Sequence, residues 1–166
     1  DAQNTPATIS TTERTLNINA AAGSTHTFHG EVLSKLNLVK QGEGTQVFNG
    51  TSAGFDGSLT VQGGTLKLGE NALGMLGSAS AVTVTGGMLD ISSASFSGNS
   101  GLALGGALQV NGGALNLGSI SEAGSYTIFD LSAAGASAAG WESWQDKLIV
   151  NGASLNRYAG ASLSLT

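Results

Sequence analysis

The sequence predicts an all-β fold: a right-handed parallel β-solenoid (β-helix) of about six or seven coils, with a short loop or helix capping its C-terminal side. Three observations lead there. One segment design recurs at nearly constant spacing, each copy alternates apolar and polar residues with period 2, and each copy carries a central Gly-Gly pair. Residues 59–69 read LTVQGGTLKLG, 82–92 read VTVTGGMLDIS and 108–118 read LQVNGGALNLG. The first residues of the copies are 23 and 26 positions apart (Leu59 to Val82, Val82 to Leu108). A fourth, weaker copy begins at Leu148, where Ala153 replaces the second glycine and Arg157 the last apolar residue.

Each copy is expected to be two short strands joined at a bend. Alternation sends Leu59 and Val61 to one face and Thr60 and Gln62 to the other. The glycine pair supplies positive φ or room for close backbone approach, and Leu66 and Leu68 then resume the alternation. The few inward aliphatics of one unit cannot offset the entropy of ordering about two dozen residues, so units must stack to share a core. Stacked at ~4.8 Å, six or seven coils make a rod on the order of 30 Å long.

Upstream, residues 25–50 lack the double glycine but keep the strand and turn rhythm. Leu36 stands 23 residues before Leu59, so Asn17 to Phe48 reads as the first coils with Leu36 stacked on Leu59. Residues 1–15 are polar and irregular, a lead or a cap on the exposed end, and 16–166 form the repeat domain. Within it, 131–147 read as a loop or short helix insertion, because Trp141 and Trp144 lie three apart after the small-residue tract LSAAGASAAG.

Composition excludes several function classes. Lys and Arg number only 6 in a chain of formal charge -5, too few cations for a phosphate-binding surface, so no nucleic-acid partner is expected. With 0 cysteines there is no disulfide framework, thiolate nucleophile or Cys-ligated zinc. No apolar run reaches the roughly 18 residues that span a bilayer, and no basic-then-apolar signal opens the sequence, as expected of a mature exported segment.

The stretch LVKQGEGTQVFNGTSAGFDGSLTVQGGTLKLG (38–69) resembles the autotransporter-associated β-strand repeat of bacterial surface-protein passenger regions. It carries an apolar-x-Lys-x-Gly-x-Gly-Thr run, a short polar loop and the strand-Gly-Gly-x-Leu-x-Leu segment. GSYTIFDLS (124–132) is similar to the Gly-x-Tyr-x-apolar-aromatic strand that follows such repeats. The resemblance covers roughly 25–130. It implies a secreted or outer-surface β-solenoid of a Gram-negative bacterium, acting as adhesin, spacer or stalk. The loop Ser-Ala-Gly-Phe-Asp-Gly before Leu59 departs from the usual Tyr-Thr-Gly type, and the resemblance transfers no catalytic residues.

The residue types add detail. A flat outward side lined by Thr60, Gln62, Thr83, Thr85, Gln109 and Asn111 is expected to bind a glycan or a host or cell-surface protein weakly and repeatedly. Trp141 and Trp144 either stack on sugar rings or seal the C-terminal end of the apolar column, and the seal is the preferred reading. His26 and His29, three apart on a strand, face opposite sides and do not form a metal site. Asp56, Asp90 and Lys67 would meet if Asp56 and Asp90 lay on adjacent coils; this is the enzymatic alternative, a polysaccharide lyase or hydrolase on a β-helix. Solvated turn acids are the plainer reading, with Asp90 outward between two inward residues. The double glycines are followed by Thr65, Met88 and Ala114 rather than Gly-x-Asp, which disfavours solenoid calcium sites. No cofactor or catalytic residue is expected. Asn49-Gly50-Thr51, formally a glycosylation sequon, reads as the turn after Phe48. A carbohydrate-binding β-sandwich with antiparallel strands is the second rival, and self-association through an exposed terminal coil is a further expectation.

Overall fold

The structure, a computed structural model, describes residues 13–32, 35–52, 54–94, 102–103, 105, 107–110 and 112–118, and the backbone of strands at 126–130, 138–139, 148–150 and 163–165. In chain order the strands are β1 (Arg14–Asn19), β2 (Thr25–Phe28), β3 (Leu36–Gln41), β4 (Thr45–Phe48), β5 (Ser58–Val61), β6 (Thr65–Leu68), β7 (Ala81–Val84), β8 (Met88–Asp90), β9 (Leu102–Ala103), β10 (Ala107–Val110), β11 (Ala114–Gly118), β12 (Tyr126–Asp130), β13 (Ala138–Ala139), β14 (Leu148–Val150) and β15 (Leu163–Leu165). A five-residue helix α1 (Gly74–Ser78), preceded by a 3-10 turn at Glu70–Ala72, stands between β6 and β7.

The strands sort into parallel sheets that wind as a β-solenoid, with about four turns between residues 13 and 94. The first sheet runs β1-β3-β5-β7-β10-β13, the second β14-β11-β8-β6-β4-β2, and a third, three-stranded sheet β15-β12-β9. The three double-glycine segments become β5–β6, β7–β8 and β10–β11, each a pair of strands flanking a bend. They run parallel, Leu59 beside Val82 and Val82 beside Leu108, which removes the antiparallel sandwich.

Period-2 alternation fixes what lies inside. Leu38, Leu59, Val82 and Leu108 form one buried column along the first sheet, while Leu66, Leu89 and Leu115 form another along the second. Phe48 stacks on Leu68, and Phe55, in the loop after β4, is buried in the same core. A buried aliphatic side chain stabilises by about 1.5–3 kcal/mol, and here each one serves the coil on either side.

The bends need glycine. Gly64 and Gly87, the second of each pair, hold φ of 58° and 66°, and a Cβ at Gly64 would lie 2.3 Å from the Gly44 carbonyl oxygen of the coil before. A side chain there is barred both by conformation and by the stacked backbone.

Three expectations are corrected, and one element was not foreseen. Leu36 does not stack on Leu59: Leu38 does, so the step into the first double-glycine copy is 21 residues, not 23. The fourth copy at Leu148 does not continue the first sheet, since Leu148–Val150 pairs with Ala114–Gly118 in the second. Ala138–Ala139, inside the tract read as a loop or helix, is a strand that pairs with Leu108 and Gln109; the rest of 131–147 lies outside the described residues. Helix also appears at Gly74–Ser78: Met75 and Leu76 within it, with Ala72 in the preceding 3-10 turn and Ala79 just after it, are buried at spacings i, i+3, i+4 and i+7. That is the stripe of an amphipathic helix. It packs onto the next coil, where the Gly105 N–H donates to the Leu76 carbonyl at 2.9 Å.

Strand β1 begins at Arg14, inside the stretch read as the lead, and residues 1–12 lie outside the described residues. At this end the column opens. Leu16 and Phe28 are 44% and 42% exposed, Phe28 meets Phe48 edge to face at 5.6 Å, and an apolar cleft of about 350 Å³ runs between Leu16, Ile18, Val32, Leu36 and Phe48. Among the described residues no helix is long and apolar enough to cross a membrane.

Candidate functional site

The outward face of the first sheet carries the residues that alternation singled out. Register places Asn17, Val39, Thr60, Thr83 and Gln109 in one straight column, each beside the next. Thr60 and Thr83 are half-buried by their neighbours, whereas Gln62 and Thr85, just past the ends of β5 and β7, are exposed. Flanking columns hold Asn37 and Ser58 on one side, Gln41 and Gln62 on the other. The outward positions of β3, β5 and β7 contain no charged residue. The side chain of Gln109, together with Asn111, Trp141 and Trp144, lies outside the described residues.

These amides already bond along the coil axis. Gln41 Nε2 donates to Gln62 Oε1 at 2.9 Å, and Asn37 Oδ1 accepts from the Ser58 N–H at 2.8 Å and from Ser58 Oγ at 3.0 Å. Thr85 Oγ1 donates to the Val61 carbonyl at 3.5 Å, a long contact. These bonds tie the β3 coil to the β5 coil and the β5 coil to the β7 coil while leaving the Thr60, Thr83 and Thr85 side chains at the surface.

The acids separate. Asp56 pairs with Lys35, 3.6 Å from Nζ, and accepts the Lys35 backbone N–H at 2.5 Å. That backbone donor, with the Lys35 ammonium adding to it, holds the Asp56 carboxyl below its ordinary value despite an opposing desolvation effect. Lys35 itself sits at φ 61°, in the left-handed region. Asp90 instead pairs with Lys67, its register partner on the adjacent coil, at 3.5 Å. Lys67 Nζ also donates to Ser92 Oγ at 3.2 Å, and Asp90 Oδ1 accepts the Ser92 N–H at 2.9 Å. Lys67 therefore joins Asp90, but Asp56 belongs to a different lysine. Asp90 does point outward between buried Leu89 and Ile91. Among the described residues no group of three His, Cys, Asp or Glu is placed to hold a metal ion; His26 stands beside Gln46 on the edge strand β2.

One residue escaped the sequence reading. Lys40 is fully buried, in the same column as Val61 and Val84. Its Nζ donates to the carbonyls of Gln41 at 2.7 Å, Gly42 at 2.9 Å and Gly63 at 3.1 Å, so each of its three N–H donors has an acceptor. Burial pushes its pKa below the ordinary lysine value, with Glu43 acting in the opposite direction. The signal was available: Lys40 lies two residues after inward Leu38, so period 2 sends it inside. No protein-family model, curated protein or solved structure matches the chain.

Proposed function

We propose that this chain is a non-enzymatic segment of an exported bacterial surface protein, similar to autotransporter passenger regions, that serves as a rigid stalk or scaffold. On this reading the winding is right-handed, the complete stack holds six or seven coils, and the protein resides outside a Gram-negative cell. What supports it is the in-register stacking of near-equivalent coils on one dry column. Such an object is quasi-one-dimensional, each coil touching only its neighbours, so length can be adjusted coil by coil. Inserting a second copy of residues 59–81 tests this: the lengthened chain should keep its strand signal per residue and grow by about 4.8 Å in solution scattering. Loss of the strand signal would overturn the scaffold reading.

The adhesin role rests on the neutral polar face. A flat, uncharged array of hydroxyls and amides fits a neutral glycan chain or a polar protein surface better than a charged polymer. A glycan array in which the intact chain binds nothing above background would remove the adhesive part and leave the spacer.

A further inference from the structure

We infer that Lys40 sets the register of the coil stack: its buried ammonium selects the observed pairing of β3 with β5 over a two-residue slip that apolar matching alone would accept. A slip of one residue would turn every aliphatic outward and is excluded by burial. A slip of two keeps every side chain on its own face. For β3 on β5 it would set Leu36 beside Leu59 and Leu38 beside Val61, again aliphatic on aliphatic. It is also the step of 23 that relates Leu59 to Val82. Along β3 and β5 the hydrophobic pattern therefore does not discriminate between the two pairings.

Lys40 does discriminate. In the observed register it lies beside Val61, and its Nζ reaches both its own bend, at the Gln41 and Gly42 carbonyls, and the next coil, at Gly63, 3.1 Å away. A two-residue slip displaces the Gly63 carbonyl by about 7 Å along the strand. The cation then loses its acceptor on the adjacent coil, in a position where a missing partner is costly. Val61 and Val84, the next two members of the column, carry no such demand. Fixing register is the best-attested use of a buried polar group, and replacing one by an apolar side chain commonly leaves the fold intact.

The chain contains 0 cysteines, so an introduced pair is the only thiol pair present. Val39 and Thr60 are outward register partners, whereas Val39 and Gln62 become partners only after the slip. In the observed register the second pair lies about 8 Å apart, beyond disulfide reach. V39C/T60C and V39C/Q62C are oxidised in the full chain, in the Lys40 background and with K40M or K40V. With Lys40 the first pair should cross-link at least about ten-fold more completely than the second. With K40M and K40V the strand signal should persist while this ratio falls toward one. An unchanged ratio in both variants would overturn the inference. So would collapse of the strand signal in both, because the lysine would then be holding the coils together rather than selecting among registers.

Discussion

Lys40 and Val61 are direct register partners in the parallel pairing of β3 and β5, and both side chains are shut away from water. A lysine thus occupies a place in a column that the following coils fill with valine. Its hydrocarbon stem takes the apolar position, and its ammonium continues to the bend. Truncation removes both at once. Lys40→Ala should cost about 3 kcal/mol in urea unfolding, chiefly from the packing lost with the stem. Lys40→Met leaves the same carbonyls without their donor but keeps the stem and removes the buried charge, and should cost about 1 kcal/mol or less.

The glycines of a bend are not equivalent. A Cβ at Gly63 would meet nothing closer than the Gly42 carbonyl oxygen at 3.4 Å, but at Gly64 it would lie within 2.4 Å of two carbonyl oxygens, with φ at 58°. Gly63→Ala should therefore change stability by no more than about 1 kcal/mol, whereas Gly64→Ala should cost about 3 kcal/mol or more. Parallel urea titrations check the contrast, which equal losses would contradict.

Asp56 gives the acid response a defined sign. Its folded pKa lies below the ordinary aspartate value, so the carboxylate contributes stability that is present above that ordinary value. The contribution is lost as pH falls from there through the depressed folded value. Wild type should be more stable than Asp56→Asn near neutrality, and the gap should close in acid below about pH 4. A gap that widened on acidification would contradict this assignment.

Lys35 holds a left-handed φ without being glycine. Lys35→Gly removes that strain, about 1 kcal/mol, at the expense of an exposed ion pair worth little. It should be neutral or slightly stabilising by thermal unfolding, and a loss above about 1 kcal/mol would mean that the Lys35 side chain matters more than its backbone.

Much of this fold is written locally. Period-2 alternation around Gly-Gly placed Leu59, Val61, Leu66 and Leu68 inside and Thr60 and Gln62 outside, and the strands follow. The steps of 23 and 26 also match the observed partners. Register at the Leu38 coil was not legible, because Leu36 and Leu38 are chemically alike and share parity. The fourth copy misled for a related reason: Leu148–Val150 has the pattern of a strand, and a strand pattern does not say which sheet it joins. The helix at Gly74–Ser78 was hidden by its glycines, although Ala72, Met75, Leu76 and Ala79 carry its period. For the candidate site, alternation found the face but not the bonds between Gln41 and Gln62 or Asn37 and Ser58, which depend on stacking across coils.

The coil stack is tested most directly by pulsed and continuous-wave electron paramagnetic resonance on nitroxide pairs along one outward column, Asn17 with Thr60, Thr83 or Gln109. These positions are two, three and four strands apart in the first sheet. Backbone separations should rise steadily, about 10, 14 and 19 Å, by one strand spacing per coil. Distances that fail to increase in that order would contradict a solenoid built from these repeats.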